Sequence, residues 1–161
     1  MGLKVLLTRH ASAGERLESS SEDRLRALDR VGRADARALP AALSGHAIER
    51  IVSSPHTRSL DTVAPLARRL GLEVECREEL TPDASSKDTL ALLAELPESA
   101  VVCTHREIFE RLFRGEVTCE KGGTWIVERR GRRLVPVAYL PPPSSVIAPG
   151  KRAALRAKAG R

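Results

Sequence analysis

A chain of 161 residues suits one domain with a sizeable core, and 42% apolar against 30% charged residues reads as soluble and globular, with no apolar run long enough to cross a membrane. Aromatic residues make up only 2%, so the core must be built of Leu, Val, Ala and Ile. The net charge of +6 raises nucleic acid as a partner, but five of those six charges lie in the tail (Lys151, Arg152, Arg156, Lys158, Arg161) and leave +1 for the body. The basic residues of the body are not interleaved with aromatic ones, as single-strand binders require, so no specific nucleic-acid partner is expected. The chain passes from Met1-Gly2 straight into an apolar run without a signal-peptide pattern. Cys76, Cys103 and Cys119 are odd in number and lack metal-ligand spacing; they read as reduced thiols of a cytoplasmic protein.

The first predicted element is a strand through Leu3, Val5, Leu6 and Leu7, which stops at Thr8 and is followed at once by Arg9-His10. A short, mostly apolar run that does not alternate is how a strand buried on both faces reads. Gly14 to Arg30 is polar and reads as a long loop starting beside His10. Asp29 to Leu43 reads as a helix with Val31, Ala34, Ala38, Leu39, Ala42 and Leu43 inward. Glu49 to Val52 is a second strand. A helix follows, with Ser54 as its N-cap, Pro55 at its first position and Gly71 at its end. Leu72 to Cys76 is a third strand. Ser85 or Ser86 caps a helix to about Glu95, closed by Pro97. Ala100 to Cys103 is a fourth, buried strand, with Thr104-His105 at its carboxyl end and a short helix from Arg106 to Arg114 behind it. Thr124 to Arg129 and Arg132 to Tyr139 form a hairpin. Pro141-Pro142-Pro143 ends the fold, and the remaining tail is expected to be mobile unless it docks.

Strands alternating with helices imply an α/β protein of three layers, with a mostly parallel central sheet between flanking helices. The expected division is one domain over residues 1–140, then a Pro-rich and basic tail over 141–161. Parallel strands place their carboxyl ends on one edge of the sheet, where ligands of open α/β sheets bind. Arg9, His10, His56, Thr57, Arg58 and His105 all stand at such ends. Two arginines, two histidines and a helix N-terminus in one pocket describe a phosphate site, because guanidinium groups take phosphate oxygens bidentately. A neutral imidazole facing that phosphate can act as a nucleophile if its other nitrogen keeps its proton.

At these residues the chain resembles the histidine phosphatase superfamily, whose fold is phosphoglycerate mutase-like, and most of all its small bacterial phosphohistidine phosphatase (SixA-like) branch. TRHASAG is similar to the family's Arg-His-Gly signature, SSPHTRSLDTVAPLA to its Ser-Ser-Pro-x-x-Arg-x-x-x-Thr segment, and VVCTHRE to the late strand with the second histidine. The likeness runs from about Leu3 to Tyr139. RALDRVGRADARALPAAL, ELTPD and GGTWIVERRGRRL also resemble the phosphatase domain that some bacteria fuse behind a MutT-like Nudix hydrolase. The resemblance implies a metal-independent and cofactor-free phosphatase in which His10 is the nucleophile and passes through a phosphohistidine. Arg9, Arg58 and His105 would hold the phosphoryl oxygens; Ser12 and His56 are candidate phosphate contacts by their position beside these residues, Ser12 equally a cap of local backbone.

Two positions depart from the pattern. Ala11 replaces the signature Gly. Pro82 stands where many members carry their general acid, which leaves Asp83 and Glu79 as candidates, with Glu78 beside them. A missing acid would favour easy leaving groups such as phosphohistidine over sugar phosphates. The expected substrate is thus a phosphorylated protein; the alternatives are a small phosphoester or a nucleotide, or a regulatory module that binds phosphate and turns over weakly. A solvated charge is the default reading of Arg16, Arg24 and Arg106, and Trp125 reads as core or rim. No membrane partner is expected, and a monomer is.

Overall fold

The structure is a computed structural model describing residues 4–97 and 99–146. Six strands form one sheet: β1 (Lys4–Arg9), β2 (Arg50–Ser53), β3 (Val74–Cys76), β4 (Ala100–Thr104), β5 (Thr124–Arg130) and β6 (Arg133–Leu140). Their spatial order is β3-β2-β4-β1-β5-β6. The first four run parallel, and the β5–β6 hairpin is added antiparallel beside β1. Five helices flank it: α1 (Ser20–Arg24), α2 (Arg30–Ala42), α3 (Thr57–Leu70), α4 (Ser86–Glu95) and α5 (Arg106–Phe113). This is the expected layered architecture with a sheet parallel in its larger part.

The apolar run of β1 feeds both faces, as a fully buried strand must. Val5 and Leu7 join Val52, Val102, Leu92, Leu93 and Phe109 on the side of α4 and α5. Leu6 joins Ile51, Val101, Leu39, Leu43, Val63 and Leu66 on the side of α2 and α3. Phe109 is the largest fully buried side chain, and truncating such a ring costs about 3–5 kcal/mol. Among the described residues no helix is long and apolar enough to cross a membrane.

Several boundaries and faces differ from the sequence reading. The loop after β1 contains α1, capped by Ser19, whose hydroxyl accepts from Glu22 N–H. The inward face of α2 is Gly32, Asp35, Ala36 and Leu39, while Val31, Ala34 and Ala42 are exposed. The cause lies at two of these residues. A Cβ on Gly32 would stand 2.0 Å from the Ser12 carbonyl oxygen, so only glycine lets α2 approach the loop so closely. Asp35 is turned inward because it accepts from Ser144 N–H at 2.6 Å and Ser144 Oγ at 3.1 Å. The chain therefore continues past Pro143 as a 3₁₀ turn, Pro143–Val146, tied to α2. Residues 147–161, with the five basic tail residues, lie outside the described residues.

Helix α3 starts at Thr57 with His56 as N-cap, not at Pro55 with Ser54, and Leu70 is exposed. Gly71 ends it in the left-handed conformation, φ 66°, as expected. Ser85 caps α4 by accepting from Asp88 N–H. Cys103 is a core residue, and Trp125 stacks against Tyr139 at 4.9 Å while donating to the Thr118 carbonyl.

Candidate active site

The register brings the strand ends level. Arg9 pairs with Thr104, and Ser53 with Cys103, so β1, β4 and β2 end on one edge. Backbone bonds knit the exits together: His10 N–H donates to Thr104 O at 3.0 Å and Ser54 N–H to Cys103 O at 3.0 Å. Gly122 N–H is shared by the carbonyls of Arg9 and His10, at 3.1 Å each. The Thr62 hydroxyl accepts from Ala11 N–H at 2.9 Å and donates to Arg58 O at 2.7 Å, which pins the turn after His10 to α3.

A pocket of about 240 Å³ opens on this edge. Arg9, His10, Arg58 and His105 line it together, with Gly14, Arg16, Arg26, Arg106, Glu107 and Lys121. His10 and His105 lie with ring centroids 5.2 Å apart. His10 Nδ1 is 2.8 Å from Ala11 O, and a carbonyl can only accept, so Nδ1 carries the proton and Nε2 keeps its lone pair. Burial, reinforced by Arg58, Arg9 and Arg26, pushes the His10 pKa down to about 3, which keeps the ring neutral. Burial also lowers His105, with His10 and Arg58 adding to the effect.

Each remaining partner is built by its own local contacts. Arg58 is only 2% exposed. One of its terminal nitrogens donates to Asp23 O at 2.8 Å and the other lies 3.4 Å from the Asp23 carboxylate. Arg9 donates to Cys119 O at 2.9 Å. His105 Nε2 lies 2.8 Å from Ser54 Oγ. Buried Arg9 Nε, Arg58 Nε and His105 Nδ1 have no hydrogen-bond partner in the protein. Orphaned buried polar groups are costly, and these three belong to side chains that line the pocket.

The other expected contacts are placed elsewhere. Ser12 donates to Asp29 Oδ2 at 2.6 Å, within the N-cap of α2, and does not line the pocket. His56 stands behind His105, edge-on at 4.8 Å, and burial beside Arg58 and Arg24 lowers its pKa to about 4. Neither candidate acid lines the pocket: Glu79 is ion-paired with Arg77, and Asp83 is exposed. Arg24 pairs with Glu78 on the surface. Arg16 and Arg106, whose default reading was a solvated charge, stand at the pocket rim.

The sequence reading passed over Asp23, Arg26, Lys121 and Glu107. Ser54 was noticed only as a cap. Asp23 and Arg26 sat in a stretch read as loop, and a buried aspartate among charged residues gives no local signal. Thr62 could have been found, since it is the threonine of the quoted SSPHTRSLDT segment.

The fold is that of a phosphoglycerate mutase-like α/β protein, and a cation-lined pocket opens on the carboxyl edge of its sheet. The family model of the histidine phosphatase superfamily (branch 1) matches residues 5–82, just under half of the chain. The 8-oxo-(d)GTP phosphatase of Mycolicibacterium smegmatis is 32% identical over 155 residues, which cover 86% of this chain and 48% of that protein. The chain thus spans about half the length of the curated relative it matches. The protein named phosphohistidine phosphatase SixA from Agrobacterium tumefaciens superposes with a TM-score of 0.70 at 22% identity, covering 88% of this chain and 99% of that one. A tungstate complex of the protein histidine phosphatase SixA gives a TM-score of 0.69 at 24% identity, with 87% and 97% covered. At these identities the two structures speak for the fold.

Proposed function

We propose that the chain is a metal-independent phosphatase that transfers a phosphoryl group to His10 and then to water. The observation that carries this reading is the pinned His10 tautomer beside three unpartnered buried donors. His10 Nε2 attacks phosphorus, the bond to the leaving group breaks, and Arg9, Arg58 and His105 Nδ1–H hold the phosphoryl oxygens as charge moves. Water then attacks the phosphohistidine, and the P–N electron pair returns to Nε2. The cradle needs no cofactor for either step. The test is phosphate release from an aryl phosphate by wild type and His10→Ala, with tungstate binding followed alongside. Turnover by wild type alone supports the reading. An inert wild type that still binds tungstate replaces it with a phosphate-binding module.

Two substrate classes fit. A phosphohistidine side chain presented by a protein is favoured by the open rim, where the Arg16 and Arg106 side chains are 67% and 59% exposed. A small phosphoester or nucleotide is favoured by charge: Arg9, Arg16, Arg26, Arg58, Arg106 and Lys121 line the pocket, and Glu107 in the lining with Asp23 and Glu110 behind it leaves cations in excess. The named activity of the Mycolicibacterium smegmatis relative agrees with the second class. Rates on a phosphohistidine protein and on nucleoside phosphates separate the two. Three free cysteines, two of them buried, support a cytoplasmic setting. We take the chain to act as a monomer whose catalytic domain is followed by the basic tail.

A further inference from the structure

We infer that Glu107 is the proton donor to the leaving group, a role that rests on the phosphatase reading above. Glu107 is the one carboxylate among the described residues that line the pocket. It sits on the first turn of α5, two residues beyond His105, the N-cap of that helix. One short segment therefore sets both the donor to the phosphoryl oxygens and a carboxylate at the pocket mouth. The mouth is where a leaving group departs once the phosphoryl oxygens occupy Arg9, Arg58 and His105.

Glu107 is held there by weak clasps. Its carboxylate lies 3.6 Å from Arg16 and 3.8 Å from Arg106. Its side chain is 24% exposed, against 67% and 59% for those two arginines. Arg106 has a second partner in Glu110 at 3.5 Å, so it can release Glu107 without being left alone.

The steps balance. As the P–Nε2 bond to His10 forms and the phosphorus–leaving-group bond breaks, the departing oxygen takes the Glu107 proton and leaves as an alcohol. In the second half, Glu107 carboxylate takes a proton from water as its oxygen attacks phosphorus, and the P–N electron pair returns to His10. The products are the alcohol and inorganic phosphate.

The experiment measures kcat/KM of wild type, Glu107→Gln and Glu107→Asp on dinitrophenyl, nitrophenyl and phenyl phosphate, with His10→Ala as control. An acid matters most when the leaving group is basic. The expected result for Glu107→Gln is a loss that grows along the series, to roughly 10²–10³-fold on phenyl phosphate. Glu107→Asp is expected to recover part of that loss. A loss equal on all three substrates, or none, overturns the role. Equal turnover by wild type and His10→Ala instead overturns the phosphatase reading beneath it.

Discussion

Ser54 Oγ lies 2.8 Å from His105 Nε2, and it accepts the His56 backbone N–H at 3.3 Å. Among the described residues, Nε2 is the only acceptor within reach of the Ser54 hydroxyl proton. With the serine hydroxyl donating to Nε2, the ring proton stays on Nδ1, the buried nitrogen that lacks a partner. In the proposed mechanism this serine makes His105 the donor to the phosphoryl oxygens. Ser54→Ala should lower kcat by roughly 10–100-fold and cost about 1–2 kcal/mol of stability. Nitrogen NMR of the His105 ring should show the Nδ1–H tautomer in wild type and a mixture in the variant. A pure Nδ1–H ring with full activity in Ser54→Ala would sink the argument.

Asp23 is the second hidden support. Its carboxylate accepts from Leu17 N–H at 2.9 Å and from Arg26 Nε at 2.9 Å, and it pairs with Arg58. Burial works against its charge, but these three donors outweigh burial and hold the carboxyl below the ordinary carboxylate range. Asp23→Asn should raise KM more than it lowers kcat, because Arg58 loses its anchor, and should cost about 2–4 kcal/mol in urea unfolding. An unchanged KM would show that Arg58 holds its place unaided.

Stability should fall as the medium is acidified, and the sign follows from the histidines. Between an ordinary value of about 6.5 and the folded value of about 3, the unfolded chain takes up a proton at His10 that the native protein refuses. The folded state is therefore fully favoured above about pH 6.5 and loses about 2 kcal/mol at pH 5 from this ring alone. His105 acts in the same direction. Urea unfolding at pH 7 and pH 5 checks this: His10→Asn should lose about 2 kcal/mol less than wild type over that interval. Equal losses would contradict a buried neutral His10.

Gly32→Ala tests the packing that the sequence reading misplaced. Alanine favours a helix, but its Cβ would meet the Ser12 backbone. The clash should dominate, with a net loss of about 1–3 kcal/mol and a disturbed loop after His10. A thermal melt decides it, and a raised Tm would show that the loop yields freely.

How far the sequence reached depends on the kind of signal. Strands β1, β2 and β4 were legible because buried parallel strands are apolar runs with abrupt polar ends, and those ends carry Arg9, His10 and His105. Gly71 and Ser85 were legible because capping is local chemistry. The inward face of α2 was not, since Gly32 and Asp35 are buried for the sake of Ser12 and Ser144, distant in sequence. Asp23 and Glu107 were invisible for a similar reason: each gains its meaning from arginines that only the fold brings near. Ser54 was misread because a serine before proline looks like a cap until His105 is placed against it.

The most direct test of the central claim is a base-quenched single turnover of dinitrophenyl phosphate, followed by mass analysis of the peptide containing Arg9 and His10. The account predicts one phosphoryl group on His10 in wild type, stable to base and lost in acid, and none in His10→Ala. Turnover with no phosphorylated intermediate, or with the phosphoryl group on another residue, would contradict it.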